Sequence, residues 1–387
     1  MKICLINHSF PPQIGGGETH LYLLAKGFAK RGHKVLVITG EGQVPIIDEG
    51  YKFTVERIKH FGDFEKGHVS FRSILDDLAK VLSKRDFDVV HVHNFMPGLA
   101  YASILPLVKT KKTIFTFHST PIPQEGKIIG HFTKYDVEKS FASFILGLSF
   151  FDTLVCPSQY YYNWALRLGA SKEKVKLVYH GVDEKDFLVK KDYSWRKKHG
   201  YFKEDFIIIC PARMIYRKGI LDLVKAVQII NNNKEKVKLY IPSSVQNGSA
   251  EYFSLVNDCI RSNNLSDVVK IAIDKESLKS MPQVYTNSNL CVLPSHIEGL
   301  GIVLLEAMAA GIPVIGSNTF GINEVIQDKV NGLLVRPKDP ANLAEKILRV
   351  KNDSTLSAMM RGGGKDSVRE KFSLTKQLDS LENIYKQ

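Results

Sequence analysis

Cysteine is scarce in this 387-residue chain, and what there is does not pair. Cys4, Cys156, Cys210, Cys259 and Cys291 stand far apart, their number is odd, and none forms a C-x-x-C. They read as reduced core residues of a protein in a reducing compartment, not as a disulfide framework. Long apolar runs are missing too. The longest, about Phe141–Phe151, falls well short of the ~20 residues a membrane span needs. The opening Met1–Ile6 is apolar for only a few residues before Asn7, His8, Pro11 and Pro12, too short for a signal-peptide core. A cytoplasmic protein, soluble or peripheral, is therefore expected. There is no internal repeat and no low-complexity segment. The dinucleotide fingerprint G-x-G-x-x-G is absent, which argues against a nicotinamide oxidoreductase.

Acidic residues are in the minority. Lys and Arg number 53 against 40 Asp and Glu, a formal net charge of +13. The excess is spread along the chain: 23 against 18 up to Glu184, and 30 against 22 beyond it. It is not a basic tail on a neutral body. Such a surface attracts nucleic acid, anionic lipid or anionic small substrates, or is simply solvated. Composition is otherwise that of a globular protein, 44% hydrophobic and 24% charged. The length suits two or three domains of roughly 100–200 residues each.

What is there alternates. Short β-branched runs are followed by amphipathic helical stretches. Strands are expected at Ile3–Ile6, Val35–Thr39, Val89–Val92, Thr113–Phe117, Thr153–Cys156 and Val175–Tyr179. A helix is expected over Glu18–Lys30, capped at Gly32. After a Lys-rich polar stretch, Glu184–Asp205, the alternation restarts. Strands follow at Phe206–Pro211, Val237–Ile241, Val268–Ile273, Leu290–Leu293 and Pro313–Ile315, with helices at Asp222–Ile230, Val303–Ala310 and Leu343–Val350. Strands alternating with helices imply parallel sheets covered on both faces. Two such series imply an α/β protein of two doubly wound domains. The boundary is placed near residue 186, and Ser367–Gln387 reads as a terminal helix. In such sheets ligands sit beyond the carboxyl ends of strands, so the residues there are the informative ones.

Four stretches qualify. Gly15-Gly16-Gly17-Glu18 follows the first strand and opens the first helix, where free N–H groups favour an anion. A flexible turn, with Glu18 complementing the helix dipole, is the alternative. His118 ends its strand and can turn an imidazole toward a ligand or serve a structural role. His91 and His93 lie two apart on one strand face. A metal needs three or four ligands, and no convincing third is in view, so no metal is expected. Third, Arg213 and Lys218 follow the first strand of the second series. They can both reach one anion, with a diphosphate the natural target, or stand as surface cations. Fourth, Glu298 and Glu306 flank Gly299, Leu300, Gly301 and Ile302, a second helix start with open N–H groups. Glu306 on an Ala/Leu/Met helix needs a partner, and a ribose diol or sugar hydroxyl would serve. A solvated helix glutamate is the alternative.

In order, and over nearly the whole chain, these stretches resemble the retaining glycosyltransferases of family 4, the group 1 transferases of GT-B fold. Gly15–Glu18 is similar to the family's first loop, Asp88–His93 to its D-v-v-H-x-H strand, and His118 to its cleft histidine. Cys156-Pro157-Ser158, Gly181-Val182-Asp183 and Asn331–Val335 also match in place. Arg213 with Lys218-Gly219 resembles its phosphate-binding pair, and Glu298 with Glu306 its E-x(7)-E motif. The resemblance implies two Rossmann-like domains facing across a deep cleft. Residues 1–186 would be the acceptor side, 187–366 the nucleotide-sugar side, and 367–387 a helix packing across both.

It implies a retaining transfer of a hexose-type sugar from a UDP- or GDP-linked donor. The acceptor would be a hydroxyl of a glycan, polysaccharide or glycolipid precursor. Arg213, Lys218, Glu298 and His118 would be catalytic. The donor would be bound by Gly16, Gly17, Gly299, Leu300, Gly301, Ile302 and Glu306, with Gly15 and Glu18 on the acceptor side. No cofactor, metal or nucleic acid is implied. A sugar-nucleotide epimerase, a sugar-phosphate transferase and a non-catalytic nucleotide-sugar binder are the rivals on this fold. The departures are Leu300 for an aromatic, His180 for Asn, Pro242-Ser243-Ser244 for a glycine-rich turn, and Phe320–Glu324 without a second glycine and proline. Leu300 keeps its backbone amide, and the last two touch the finer donor contacts, not the reaction class. Lys109–Lys112 and Lys127–Phe151, with Phe132, Tyr135, Phe141, Phe144, Phe150 and Phe151, form either a basic and apolar patch for an anionic membrane or a core helix with a solvated edge.

Overall fold

The computed structural model describes residues 1–13, 15–41, 50–63, 71–118, 128–129, 132–133, 139–140, 142–144, 146, 150–244, 250–273, 278 and 280–387. The chain forms two compact units, one of Met1–His180 with Leu374–Gln387 and one of Gly181–Ser373. The division thus falls at 180/181 and 373/374, not at 186 and 366. The cause is local. The Val182 N–H donates to the Phe372 carbonyl at 2.9 Å, Val182 bridges Ser373, and Arg369 pairs with Glu184 at 2.9 Å. Residues 181–186 and 367–373 are tied to each other and stay in the second unit.

Among the described residues, the strands of the first unit are β1 (Lys2–Ile6), β2 (Lys34–Gly40), β3 (Thr54–Ile58), β4 (Asp86–His93), β5 (Lys109–Thr116), the ribbon β6 (Ile128–Ile129) and β7 (Phe132–Thr133), β8 (Thr153–Cys156) and β9 (Val175–Leu177). All but the ribbon join one parallel sheet in the order β3-β2-β1-β4-β5-β8-β9. Ile3–Ile6 and Val89–Val92 are fully buried, as continuous apolar runs must be when helices cover both sheet faces.

The final helix, Leu374–Lys386, belongs to this unit and packs on the first helix, Gly16–Lys30. Leu378, Leu381, Ile384 and Tyr385 share a core with Leu21, Leu24 and Phe28. A Cβ on Gly27 would lie 2.5 Å from Leu378 Cδ1, so glycine lets the two helices close. Leu378→Ala is expected to destabilise this unit by about 2–5 kcal/mol, read as a lower melting temperature. The expected single helix over Ser367–Gln387 is in fact broken. Ser354–Glu370 ends where Phe372 turns into the core, and a new helix starts at Leu374.

The second unit holds β10 (Ile207–Ile209), β11 (Lys238–Pro242), β12 (Val269–Ala272), β13 (Leu290–Leu293), β14 (Val314–Ser317) and β15 (Leu333–Val335). They form a parallel sheet in the order β12-β11-β10-β13-β14-β15. The helix Ser354–Glu370 carries Gly362-Gly363-Gly364, an unfavourable run for a helix. Close approach explains the last two, while a Cβ on Gly362 would meet nothing within 4 Å. A Cβ on Gly363 would lie 2.7 Å from the Val330 carbonyl oxygen, and one on Gly364 3.0 Å from Met308 Cγ. The Lys-rich stretch before β10 is anchored by Arg196, 1% exposed. Its guanidinium donates to the carbonyls of Asn287, Phe202, Lys203 and Asp205 and to Asn289 Oδ1.

All five cysteines are free thiols, Cys259 half-buried and the others buried. No helix among the described residues is long and apolar enough to cross a membrane. Of the proposed membrane patch, Phe151 is core, 1% exposed and packed on Phe115 and Tyr101. Phe144 is exposed, while Lys127, Tyr135 and Phe141 lie outside the described residues.

Candidate active site

In the second unit the strand order reverses between β10 and β13, where parallel α/β sheets place ligands beyond the strand ends. Both expected stretches leave from here. Arg213 and Lys218 follow β10, and Glu298–Gly301 follow β13. The two loops are locked together. The His296 N–H donates to the Arg217 carbonyl at 2.8 Å, and His296 Nε2 meets Asp222 Oδ2 at 2.6 Å. Gly219 sits at φ 65°, and a Cβ there would run into the Pro294 carbonyl oxygen. Only glycine meets both demands.

Lys218 Nζ is paired with Glu298 Oε2, both side chains largely buried. Burial raises the Glu298 carboxyl, but the Lys218 and Arg217 cations and the N–H of Gly299 overcome it and hold it at about 2. Burial also lowers the Lys218 ammonium, with Arg217 and Arg213 adding to the effect and Glu298 opposing it. So the site gathers three cations against one fixed carboxylate, an arrangement that favours a further anion.

The helix Ile302–Ala309 begins beside them. Its N-cap Gly301 is left-handed at φ 85° and no side chain caps it, so the first N–H groups remain for a ligand. Leu300 is 3% exposed, so its side chain is core and only its backbone is available. Gly321, at φ 81°, lies against the Glu298 and Gly299 carbonyls, a Cβ there coming within 2.5 Å. The departing Phe320–Glu324 stretch thus keeps glycine where the backbone requires it. Pro242 closes β11. Ser243 Oγ donates to the Ala212 carbonyl at 2.7 Å and the Met214 N–H to the Ser244 carbonyl at 3.3 Å, so these serines brace the Arg213 loop.

Glu306 does have a protein partner, which the sequence did not reveal. The buried Tyr285 hydroxyl donates to Glu306 Oε2 at 2.7 Å. Burial lifts the Glu306 carboxyl to about 7, against the Tyr285 hydrogen bond that lowers it. Glu306 is therefore poised to change charge near neutrality.

In the first unit the loops after β1, β4 and β5 are stitched by Asn7 and Asn94. Asn94 Nδ2 donates to Asn7 Oδ1 at 2.9 Å, and the His118 N–H to Asn94 Oδ1 at 3.3 Å. Glu18 Oε1 accepts from Ser9 Oγ at 2.7 Å, and a Cβ on Gly15 would meet the Glu18 carboxylate. Glu18 thus braces the turn, while Gly16 and Gly17 have nothing within 4 Å of a Cβ and present open backbone. His118 lies in a histidine cluster. Its Nε2 is 2.9 Å from His93 Nδ1 and its Nδ1 3.2 Å from His180 Nε2. Burial lowers it to about 4, and His8 adds to that, so it is neutral at pH 7. His91, by contrast, is satisfied by Tyr385 and Thr116. His20 and His180 join the cluster, and no sequence motif pointed to His20.

Two Rossmann-like domains, the second with paired cations and an open helix start at its switch point, are the architecture of the GT-B fold. The chain belongs to the group 1, family 4 glycosyltransferases. The family "Glycosyl transferases group 1" matches residues 192–367 and "Glycosyltransferase Family 4" residues 14–186. The whole chain is 27% identical to an uncharacterised glycosyltransferase of Methanocaldococcus jannaschii, 98% of which is covered. Over 97% of its length it is 24% identical to the N-acetyl-alpha-D-glucosaminyl L-malate synthase of Bacillus anthracis, 94% of which is covered. Among solved structures, sucrose-phosphate synthase from Thermosynechococcus elongatus superposes with a TM-score of 0.83 at 22% identity, covering 100% of this chain and 98% of that one. Anabaena HepE in complex with UDP and glucose superposes with a TM-score of 0.82 at 19% identity, covering 100% of both. At these identities the likeness is one of fold.

Proposed function

We propose that the protein transfers a hexose-type sugar, with retention of anomeric configuration, from a UDP- or GDP-linked donor. The acceptor is a hydroxyl on a glycan, polysaccharide or glycolipid precursor. The observation that carries this reading is the convergence of Arg213, Lys218 and the uncapped start of the Ile302–Ala309 helix at one switch point, beside Glu298 and Glu306. That set fits a diphosphate next to a polyol, which is the chemistry of a nucleotide sugar. HepE, of the same fold, was crystallised with UDP and glucose.

In this reading the bond from the anomeric carbon to the diphosphate oxygen breaks. A bond from the acceptor oxygen forms on the same face, and the acceptor proton passes to a leaving phosphate oxygen. Arg213, Lys218 and the helix N–H groups stabilise the charge that develops on the diphosphate. Glu298 hydrogen-bonds the donor sugar, Glu306 the ribose, and His118 faces the sugar. With the leaving group both neutralised and used as base, the step requires neither a protein nucleophile nor a metal. Gly16 and Gly17 line the phosphate side, with Gly15 and Glu18 toward the acceptor.

The test is thermal stabilisation by UDP, GDP, ADP and their sugar conjugates, followed by NMR assignment of the product anomer. A ligand at 100 times its Kd adds ~2.7 kcal/mol. The expected result is one nucleotide that shifts the melt, loss of that shift in Glu306→Ala, and a product with the donor's anomeric configuration. No shift with any nucleotide, or an inverted product, refutes the reading. Glu306 adds a pH signature. The ionised carboxylate accepts ribose hydroxyls, so affinity is full above its pKa of about 7 and falls as pH drops through it, approaching tenfold per unit. Isothermal titration between pH 5.5 and 8.5 is expected to show that slope, with Glu306→Gln removing it.

A further inference from the structure

The transfer reaction leaves most of the histidine cluster in the first unit without a task. His20 on the first helix, His93 at the end of β4 and His118 just past β5 each bring one ring nitrogen within 4.8 Å of the others. His20 and His93 are buried and His118 is half-buried. One ring nitrogen of this trio, His20 Nδ1, the atom turned to the other two rings, is buried with no hydrogen-bond partner among the described residues. Buried polar atoms in folded proteins are nearly always paired, and an orphan points to a water or an ion.

We propose that His20, His93 and His118 form a binding site for a borderline divalent transition metal, with Zn2+ the type ion and a water or substrate oxygen in the fourth position. Three imidazoles with one open place is an established zinc donor set, and imidazole suits Zn, Ni and Cu over Mg or Ca. The outer partners are in place. His118 Nδ1 faces His180 Nε2 at 3.2 Å, and His20 Nε2 lies 2.6 Å from Gln377 Nε2; with the Gln377 amide turned over, its Oε1 accepts from the His20 Nε2–H and frees Nδ1 of its proton. Such contacts hold a ligating ring by its other nitrogen. They leave His118 Nε2 and His20 Nδ1 for the metal, His118 exchanging its hydrogen bond to His93 for the ion. Zinc–nitrogen bonds of about 2.0–2.1 Å put tetrahedral ligand nitrogens roughly 3.4 Å apart. His93 Nδ1 and His118 Nε2 are already 2.9 Å apart, so His93 enters through Nδ1, and all three rings place a ligand nitrogen within 4.8 Å of the others. One consequence rests on the role proposed above for His118: a ring held by metal cannot also serve the sugar, so Zn2+ inhibits transfer.

The experiment is titration of the full chain with Co2+, read by its visible d–d absorption, then displacement by Zn2+. Expected are one equivalent with intense low-coordinate bands, and at least a 100-fold weaker affinity in His20→Asn and His93→Ala. Gln377→Leu, which removes only an outer partner, weakens it about 10–100-fold. Circular dichroism melts check that each variant is folded, and His20→Asn roughly keeps the ring's volume should His93→Ala fail. Octahedral bands alone, or binding unchanged in folded His20→Asn, overturns the site. Specific binding without inhibition of transfer upholds the site and removes the role of His118 instead.

Discussion

Arg213→Ala is expected to lower kcat/KM by about 10²–10³, equivalent to about 2.7–4 kcal/mol of transition-state stabilisation, the scale seen when one charge stabiliser is removed. The loss falls mainly on kcat, because negative charge grows on the leaving diphosphate as the anomeric bond breaks. A group that bound donor and transition state equally would raise KM alone. The fold survives the change, since Arg213 is partly exposed in a loop after β10 and its neighbours Ala212 and Met214 carry the packing. Arg213→Lys keeps the charge but loses the planar fork that grips two phosphate oxygens, so it recovers only part of the rate. Steady-state kinetics with the donor identified by thermal shift is the measurement. A fall of less than roughly threefold in Arg213→Ala, far below the expected scale, removes Arg213 from the role.

Much of this architecture was legible in the sequence, for a physical reason. A parallel strand buried on both faces must be a continuous apolar run, so Ile3–Ile6, Val89–Val92 and Leu290–Leu293 announce themselves. Residues beyond strand ends are released from packing, so Gly15–Glu18, Arg213, Lys218 and Glu298 stand out as polar or glycine breaks. Less visible were elements whose pattern is mixed. β3, Thr-Val-Glu-Arg-Ile, is a half-exposed edge strand and gives no apolar run. The helix through Gly362-Gly363-Gly364 contradicts local propensity because its reason lies far upstream, at Val330 for Gly363 and at Met308 for Gly364. The partners of the site residues were illegible for the same reason. Nothing local ties Tyr285 to Glu306, or His20 and Gln377 to His180. Those pairings exist only once separate strand ends are brought side by side.

The Lys218–Glu298 pair carries the second large prediction, and its energetics are not those of a simple stabilising ion pair. For Glu298 the neighbouring cations win over burial and its carboxyl is held at about 2; for Lys218 burial wins over the carboxylate and its ammonium is lowered. The two shifts oppose each other, so the net contribution of the intact pair is small, as is common for buried pairs. Breaking it is another matter. Lys218→Met leaves Glu298 buried with its main counter-charge gone, and the expected loss is about 3–5 kcal/mol. The Glu298 shift from 4.5 to about 2 corresponds to about 3 kcal/mol, the same scale. In the wild-type chain that part is present above pH 4.5 and lost as pH falls toward 2. In Lys218→Met burial raises the Glu298 carboxyl, so the variant's deficit is worst at neutral pH and eases on acidification, as the buried group is neutralised. Lys218→Met/Glu298→Gln removes both charges, leaves no buried ion, and is expected to regain stability to within about 1 kcal/mol of wild type while remaining inactive. Denaturant melts at pH 5 and pH 8 on the two variants decide the matter. A double variant as unstable as Lys218→Met means that the lysine stem, and not the stranded carboxylate, holds the loops of β10 and β13 together.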